Sequence, residues 1–318
     1  MKKFNSQEIK EFVSRPYFNE KIILDKNKSW PKISIITPSL NQGEFIEDTI
    51  LSVKNQDYPY IEHIIIDGGS TDNTLEILRK YEGVYNMKWV SEKDEGQSDA
   101  INKGIDMVNG DIIGWLNSDD TYLFKDTISE VVQAFGRYKE FDVLFGDIAF
   151  MNRQGEILRF YAYQNYDYNK LLSYRFNLGQ PAVFFKSNVL KKNKLRKDLH
   201  YVMDYELWLR LGKKKYKFLH IFEPLAGFRV YPEAKSFKEK EKKLLFEREK
   251  IIEEFGNKTN TTSIIVLLLD KIVRGGRARI GGLMELIKYK YLKKENLTFR
   301  GKYSSFPLDI LRQVFYMQ

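Results

Sequence analysis

Cysteine is absent from this chain of 318 residues, and only three histidines are present. The absence of cysteine excludes disulfide bonds, thiolate metal sites and cysteine nucleophiles, and it fits a reducing cytoplasm, where we expect the protein to reside. Hydrophobic residues make up 43% and charged residues 30% of the chain, which is typical of a folded globular protein. The length suits one large α/β domain with an appendage, or two modest domains.

Long apolar runs are also missing. The longest spans residues 264–269, which is far shorter than the roughly 20 residues that cross a bilayer. No apolar run follows the basic N-terminus, residues 1–8, so we expect no signal peptide. The chain lacks a Walker A sequence and a dinucleotide fingerprint. The common phosphate-binding motifs are therefore excluded.

Positive charge is distributed unevenly along the chain. Residues 237–318 hold 18 Lys and Arg against 10 Asp and Glu, and so carry most of the net charge of +9. This region is predicted to form a basic helical extension, which is either solvated or rests on a polyanionic surface such as anionic lipid. A basic patch without a recognisable nucleic-acid module is weak evidence for nucleic-acid binding, and none is expected.

Alternating β and α patterns begin near residue 31, after an N-terminal segment, residues 1–30, with the pattern of a helix and a polar connector. Helices are predicted between short apolar strands at residues 33–36, 63–66, 87–91 and 111–116. Because the apolar residues in these strands are mostly continuous rather than alternating with polar ones, they predict a mostly parallel sheet with helices on both faces. The predicted fold class is therefore α/β.

The pattern changes beyond residue 140. Two strand-like segments, residues 142–151 and 156–163, flank a turn-like sequence and predict a β-hairpin. We therefore expect antiparallel strands to be mixed into the second half of one domain over residues 31–236. The first half of this domain is residues 31–120 and the second is residues 121–236.

Polar clusters follow four successive strands, at residues 37–41, 67–72, 92–99 and 117–120. In parallel sheets, ligands bind beyond the carboxyl ends of the strands. The cluster at 67–72 holds two carboxylates, two hydroxyls and two glycines, which suit close approach of a nucleobase or ribose. The alternative is an ordinary β-to-α turn with a capping aspartate.

The cluster at 117–120 ends in two adjacent aspartates, Asp119 and Asp120. Adjacent carboxylates repel one another unless a cation or a hydrogen-bond network compensates. Oxygen ligands favour Mg²⁺ or Mn²⁺, with phosphate and water completing the coordination shell. The alternative is an Asx-turn that caps a following helix.

Two later segments carry further candidates. Asp204 stands at the start of an amphipathic helix, where it is either an N-cap, which the pattern alone favours, or a general base. Residues 227–236 contain Arg229 and Lys235 in either a lid that closes on phosphate or a solvated loop.

Five segments together resemble those of the family 2 glycosyltransferases, which are inverting enzymes with the GT-A fold. In order, they are ISIITPSLN at 33–41, IDGGSTD at 66–72, SEKDEGQSDAINKG at 91–104, WLNSDD at 115–120 and MDYELWLR at 203–210. Each segment has low specificity alone, whereas five in the family's order have high specificity. The resemblance covers roughly residues 31–236.

The resemblance implies a Rossmann-like GT-A domain with a nucleotide-binding half and an acceptor half. It further implies that Asp119, with Asp120, holds a divalent metal, Mn²⁺ or Mg²⁺, and that Asp204 is the general base. The donor would be a nucleotide sugar, most often a UDP-sugar. The residues expected to bind it are Thr37, Pro38, Ser39, Asn41, Asp67, Gly68, Ser70, Asp94, Gly96, Gln97, Asp99, Asn102, Asn117, Ser118, Arg229 and Lys235.

Two positions depart from the family's pattern. Asn117 stands at the first acidic position of the family's Asp-x-Asp motif, and Tyr231 stands where relatives often carry a histidine. An amide supplies no charge, so metal binding is expected to be weaker or to depend on Asp120.

The resemblance predicts transfer of a sugar, with inversion, to a hydroxyl of a saccharide or lipid-linked acceptor in bacterial cell-surface polysaccharide synthesis. The alternative is a non-catalytic nucleotide-sugar-binding protein. Amphipathic helices over residues 264–294 are expected to contact the cytoplasmic face of the membrane near the acceptor, or residues 264–269 pack on the domain instead.

Overall fold

A computed structural model of the chain describes residues 29–173, 178–235 and 241–256. Of these, the residues up to Phe255 belong to one compact unit. The predicted N-terminal helix and the predicted amphipathic helices over residues 264–294 lie outside the described residues. Within the described ranges, no helix combines the length and the apolar composition that crossing a membrane requires.

The first half of the unit is a parallel β/α arrangement. Its strands pair in the order β3-β2-β1-β4, all parallel, and are β1 (Ile33–Ser39), β2 (Ile61–Asp67), β3 (Met87–Ser91) and β4 (Ile112–Trp115). The helices between them are α1 (Ile46–Lys54), α2 (Thr74–Tyr81) and α3 (Gln97–Met107). Each predicted strand and helix of this half is confirmed, with small differences at the ends.

The side chains of β2 alternate between two apolar layers. Ile64 and Ile66 pack in the same cluster as Ile101 of α3, whereas Ile65 packs in the same cluster as Ile46 of α1. Because helices cover both faces of the strand, every position along it can be apolar. This arrangement explains the continuous isoleucine-rich sequence, and it brings the carboxyl ends of the parallel strands to one edge.

The second half mixes strand directions. Its strands are β5 (Thr121–Tyr122), β6 (Val143–Met151), β7 (Ile157–Tyr161), β8 (Val183–Lys186) and β9 (Phe218–Arg229). The sheet continues from β4 as β8-β6-β9-β5, with β8 antiparallel to both neighbours and β9 parallel to β6. The predicted hairpin is confirmed, since β6 and β7 pair antiparallel. The expected mixture of antiparallel strands is thus confirmed in this half.

Five helices of this half are described: α4 (Thr127–Arg137), α5 (Tyr168–Leu172), α6 (Ser187–Lys192), α7 (Met203–Lys213) and α8 (Glu241–Phe255). A short 3-10 turn, Gln180–Ala182, precedes β8. Helix α8 lies beyond the predicted domain end at residue 236, yet its Ile251 is fully buried in the core cluster that also contains Trp208 of α7. Helix α8 is therefore part of the compact unit.

Candidate active site

One cavity of about 680 Å³ is lined by the carboxyl ends of β1 and β4, the starts of α3 and α7, and the end of β9. It brings together predicted site residues from both halves of the domain. Twelve of them line it: Pro38, Ser39, Asp94, Gly96, Gln97, Asn117, Ser118, Asp119, Asp120, Asp204, Arg229 and Lys235.

Asp67, which is predicted to hold the nucleotide, does not line the cavity. It is fully buried, and its carboxylate accepts hydrogen bonds from the Ser70 N–H at 2.8 Å, the Ser70 hydroxyl at 2.5 Å and the Ser91 hydroxyl at 2.7 Å. These bonds join the ends of β2 and β3. Asp67 and Ser70 thus stabilise this edge of the sheet, and their contact with a nucleotide stays a prediction.

Three more residues that are predicted to bind the nucleotide make contacts at the same edge of the sheet. Thr37 Oγ1 lies 2.8 Å from Nε2 of the buried His63. Asn41 adopts a left-handed conformation with φ 52° and donates its N–H to Ser70 Oγ at 2.7 Å. Gly68 donates its N–H to the Ser39 carbonyl at 2.8 Å. These bonds position the end of β1, while nucleotide contacts of Thr37, Asn41 and Gly68 stay predictions.

Asp99 and Asn102 of α3 also lie off the cavity lining. Asp99 pairs with Lys197 at 2.6 Å, and Asn102 exchanges two hydrogen bonds of 2.9 Å with the backbone of Leu195. Both contacts join α3 to the segment that precedes α7. They help to hold the two halves of the domain together next to the cavity. A nucleotide contact of either residue stays a prediction.

The turn at residues 117–120 leads into β5, so the alternative of a cap for a following helix is wrong. Asp120 is 1% exposed, and its Oδ1 accepts the backbone N–H of Arg229 at 2.9 Å. Asp119 is less buried, and its Oδ2 accepts the hydroxyl of Tyr231 at 2.9 Å. Asp119 is therefore the better placed of the two for contact with a ligand.

Burial raises the pKa of both aspartates, and the charge of Asp119 raises that of Asp120 further. A cation beside the pair would offset this repulsion. Among the described residues, no three His, Cys, Asp or Glu side chains form a metal-binding group. Asp119, and beside it Asp120, could contribute to a metal site that phosphate oxygens and water complete.

Asn117 lies at the centre of a hydrogen-bond network that explains the amide at this position. Its Oδ1 accepts from Trp115 Nε1 at 2.9 Å and from Gln97 Nε2 at 2.8 Å. Its Nδ2 donates to Gln180 Oε1 at 2.9 Å and lies 3.4 Å from Asp120 Oδ2. A carboxylate could not donate these bonds, and it would add a third negative charge to the site.

The two predicted phosphate-binding cations have different surroundings. Arg229 is 2% exposed, and it donates from Nε to the Asp119 carbonyl at 2.8 Å and from a terminal nitrogen to Asp48 Oδ2 at 2.9 Å. It belongs to β9, so the alternative of a solvated loop is wrong for this residue. Lys235 is exposed, and its Nζ donates to Gln97 Oε1 at 2.8 Å. Through its hydrogen bond to the Asp119 carbonyl, Arg229 thus orients the acidic turn, residues 117–120.

Asp204 lies in the first turn of α7, whose N-cap is Val202, so the N-cap alternative is wrong. The carboxylate is half-buried in the cavity wall, and its Oδ1 accepts the N–H of Tyr205 at 2.7 Å. Burial raises the pKa of Asp204, while the charges of Arg248 and Lys235 act in the opposite direction. A raised pKa makes a carboxylate a stronger base.

Most of the remaining cavity wall is aromatic or apolar, and no sequence motif marks it. These side chains include Ile148, Phe150, Tyr163, Leu178, Tyr201, Tyr205, Phe228 and Leu244. The rings of Phe150 and Phe228, on neighbouring strands, have centroids 5.8 Å apart. The aromatic content of 14% indicates that rings are available, but no local pattern distinguishes those of the cavity from those of the core.

Comparison with known proteins agrees with this architecture. The uncharacterized glycosyltransferase MJ1057 of Methanocaldococcus jannaschii is 26% identical over 211 residues, which cover 63% of this chain and 71% of that protein. TuaG of Bacillus subtilis, a glycosyltransferase whose name places it in teichuronic acid biosynthesis, is 40% identical over 94 residues. That match covers 29% of this chain and only 37% of TuaG.

The solved structure of S. aureus TarS 1-349 in complex with UDP-GlcNAc superposes with a TM-score of 0.57 at 19% identity, covering 73% of this chain and 68% of that one. At this identity the likeness shows the fold, and the expected GT-A architecture is confirmed. The family model described as Glycosyl transferase family 2 matches residues 34–199, more than half of the chain. This chain therefore belongs to glycosyl transferase family 2.

Proposed function

We propose that this glycosyltransferase moves a sugar from a nucleotide-diphosphate sugar, with a UDP-sugar as the expected donor, to a hydroxyl of a saccharide or lipid-linked acceptor. The anomeric configuration inverts. The observation that carries the proposal is that one cavity is lined by both Asp119, after β4, and Asp204, in α7. An inverting transfer needs charge compensation for the diphosphate and a base for the acceptor at the same place.

The donor's nucleotide is assigned to the edge formed by β1 and the start of α3. Ser39 is buried at the cavity, and its hydroxyl has no hydrogen-bond partner among the described residues. Gly96 has φ 114°, which favours glycine, and its N–H donates to Asp94 Oδ1 at 2.8 Å immediately before α3. Helix α3 therefore begins at the cavity, and its N-terminus favours the binding of a negatively charged group there.

A divalent metal fits the acidic pair, because both pKa values are raised by burial and a cation would relieve the repulsion. Asp119 would hold it, with Asp120 at most as a second protein ligand. Bound there, Mn²⁺ or Mg²⁺ supplies positive charge that offsets the charge of the departing nucleotide. Tyr231 orients the Asp119 carboxylate through its hydroxyl, and Lys235 adds positive charge at the cavity.

Asp204 is assigned as the general base. It takes the proton of the acceptor hydroxyl while that oxygen forms its bond to the anomeric carbon. The bond from that carbon to the diphosphate oxygen breaks, and the nucleoside diphosphate leaves from the opposite face. One displacement of this kind inverts the configuration, whereas retention by double displacement would require a carboxylate as nucleophile.

A place in cell-surface polysaccharide synthesis is proposed from the likeness to TuaG, which covers about a third of each chain. A cytoplasmic location, with residues 264–294 of the basic C-terminal region against the membrane, belongs to the same proposal. We expect the full chain to float with vesicles that contain anionic lipid and not with neutral vesicles. Equal recovery with both kinds of vesicle would count against the membrane contact.

Release of nucleoside diphosphate tests the enzyme against the alternative of a non-catalytic binder. The full chain is incubated with UDP-glucose, UDP-GlcNAc or GDP-mannose and Mn²⁺ or Mg²⁺, with and without saccharide acceptors. We expect release from at least one donor, and faster release with an acceptor. Thermal stabilisation by a nucleotide sugar without release from any donor would favour the binder.

A further inference from the structure

Helix α8 contributes Leu244 and Arg248 to the cavity that contains Asp204. The two residues are four positions apart, and so lie on one face of the helix. The helix lies outside residues 34–199, which the family model matches. This wall of the cavity is therefore formed by a part of the chain beyond the family match.

The position of α8 is fixed by specific contacts. Glu247 accepts the N–H groups of His200 at 3.1 Å and Tyr201 at 2.7 Å, close to the start of α7. Near the other end of α8, Glu254 pairs with Arg196 at 2.7 Å. These contacts hold the helix against the segment that precedes Asp204, so Arg248 has a defined place in the wall.

The guanidinium of Arg248 lies over the ring of Tyr205, 4.6 Å from its centroid. The Tyr205 hydroxyl is in turn fixed by donating to the Leu171 carbonyl at 2.7 Å. A guanidinium that is held against a ring in this way can present N–H groups to a carboxylate or phosphate. Arg248 and Asp204 line the same cavity, and the charge of Arg248 acts to lower the pKa of Asp204.

Arg248 belongs to a different element of the cavity lining from Arg229 of β9 and from Lys235. The wall formed by β6, α7 and α8 is mainly apolar and aromatic apart from Asp204 and Arg248. A half-buried cation in such a wall suits an anion, since its charge is screened less than on the surface.

We infer that Arg248 binds an anionic group of the acceptor, a carboxylate or a phosphate, and thereby places the acceptor hydroxyl at Asp204. The enzyme then selects acidic acceptors over neutral ones. This inference rests on the proposed function, because it takes Asp204 as the base. Arg248 is a specificity-determining residue in this scheme, and the proton is still taken by Asp204.

Three probes that share the same sugar ring and the same aglycone, and differ only at carbon 6, test the inference. They are p-nitrophenyl β-D-glucoside, the corresponding glucuronide, and the 6-phosphate of the glucoside. Their affinities for the full chain are measured by calorimetry with and without UDP. We expect at least one anionic probe to bind about tenfold more tightly than the neutral one, as hydrogen bonds to a charged group allow. The tighter anion identifies the carboxylate or the phosphate as the group that is recognised.

Variants of α8 separate recognition from folding. Arg248→Gln should remove the preference for the anion, and Arg248→Lys should keep part of it. Lys250→Gln makes the same change of charge at an exposed position of the same helix, and it should leave the preference unchanged. Thermal stabilisation by UDP, which reports the donor site, should be the same in all four proteins.

Equal affinities for the three probes, or no measurable binding of either anionic probe, would overturn the inference. So would a loss of affinity for the neutral probe in Arg248→Gln that matches the loss for the anions, because Arg248 would then only support Tyr205. If UDP fails to stabilise the chain while the anion preference persists, the proposed donor fails instead.

Discussion

The proposed donor side and the proposed acceptor side of the cavity are constructed differently. The donor side consists of short segments after β1 and β4 and before α3, and its polar side chains are held by one another through Asn117 and Arg229. The acceptor side draws on β6, α7, β9 and α8, and it is mainly aromatic or apolar. A diphosphate can be recognised by local motifs at strand ends, whereas an acceptor is recognised by a surface that distant segments form together.

The largest expected effect separates catalysis from donor binding. Asp204→Asn should reduce sugar transfer about 10³-fold, because the amide cannot take the proton, while the affinity for UDP is retained. Transfer is measured as acceptor-dependent release of nucleotide, and affinity by calorimetry. Asp106→Asn, at an exposed surface pair with Lys194, is the control. Normal turnover of Asp204→Asn would place the base elsewhere.

A second change acts on the donor side. Asp119→Ala should weaken UDP binding in the presence of Mn²⁺ by about 10- to 100-fold, since even residues that only support metal ligands contribute on this scale. Binding without metal should change little. Calorimetry with and without Mn²⁺ makes the distinction. If Asp120→Ala had the larger effect on Mn²⁺-dependent binding, Asp120 would be the principal ligand.

A third change tests the hydrogen-bond network of the donor side. Asn117→Asp should lower the free energy of unfolding by about 1–3 kcal/mol, because the donor to Gln180 is lost beside two other carboxylates. Mn²⁺ should recover part of this loss. Chemical denaturation with and without Mn²⁺ measures both effects, and Asn165→Asp at an exposed position is the control. Unchanged stability in the absence of metal would show that the network contributes little.

The smallest expected effect is a pH dependence that belongs to the acceptor side. Burial raises the pKa of Asp204, so transfer should fall tenfold per pH unit below that pKa, while UDP binding follows another profile. The folded protein therefore binds the proton of Asp204 more tightly than the unfolded chain does. The free energy of unfolding falls as the pH rises through the raised pKa, because the buried carboxylate must then be charged.

Asp204→Asn should therefore raise the melting temperature at neutral pH and have little effect below the pKa of the unfolded chain. Melting curves of both proteins at pH 3.5 and pH 7.5 measure this difference. An equal shift at the two pH values would show that desolvation of Asp204 is not its source.

Local patterns predict the strands and helices of the proposed donor side well, because each of these elements is continuous in sequence. The apolar strands β1, β2 and β4, each followed by polar residues, are recognisable from adjacent positions alone. The same patterns do not show which polar side chains turn inward. Asp67 is bound by Ser91 of the next strand, and Asn102 by the backbone of Leu195, so neither lines the cavity. Both contacts depend on residues far along the chain.

By itself, the sequence determined a parallel β/α sheet with antiparallel strands mixed into its second half, and it predicted Asp119 and Asp204 as site residues, both of which line the cavity. Only the tertiary structure decided that Asn117 is held by Gln180, and that Arg248 of α8 lines the same cavity as Asp204. The reason is physical. Strand and helix periodicity is set by neighbouring residues, whereas hydrogen bonds and cavity walls form between side chains that only the complete packing brings together.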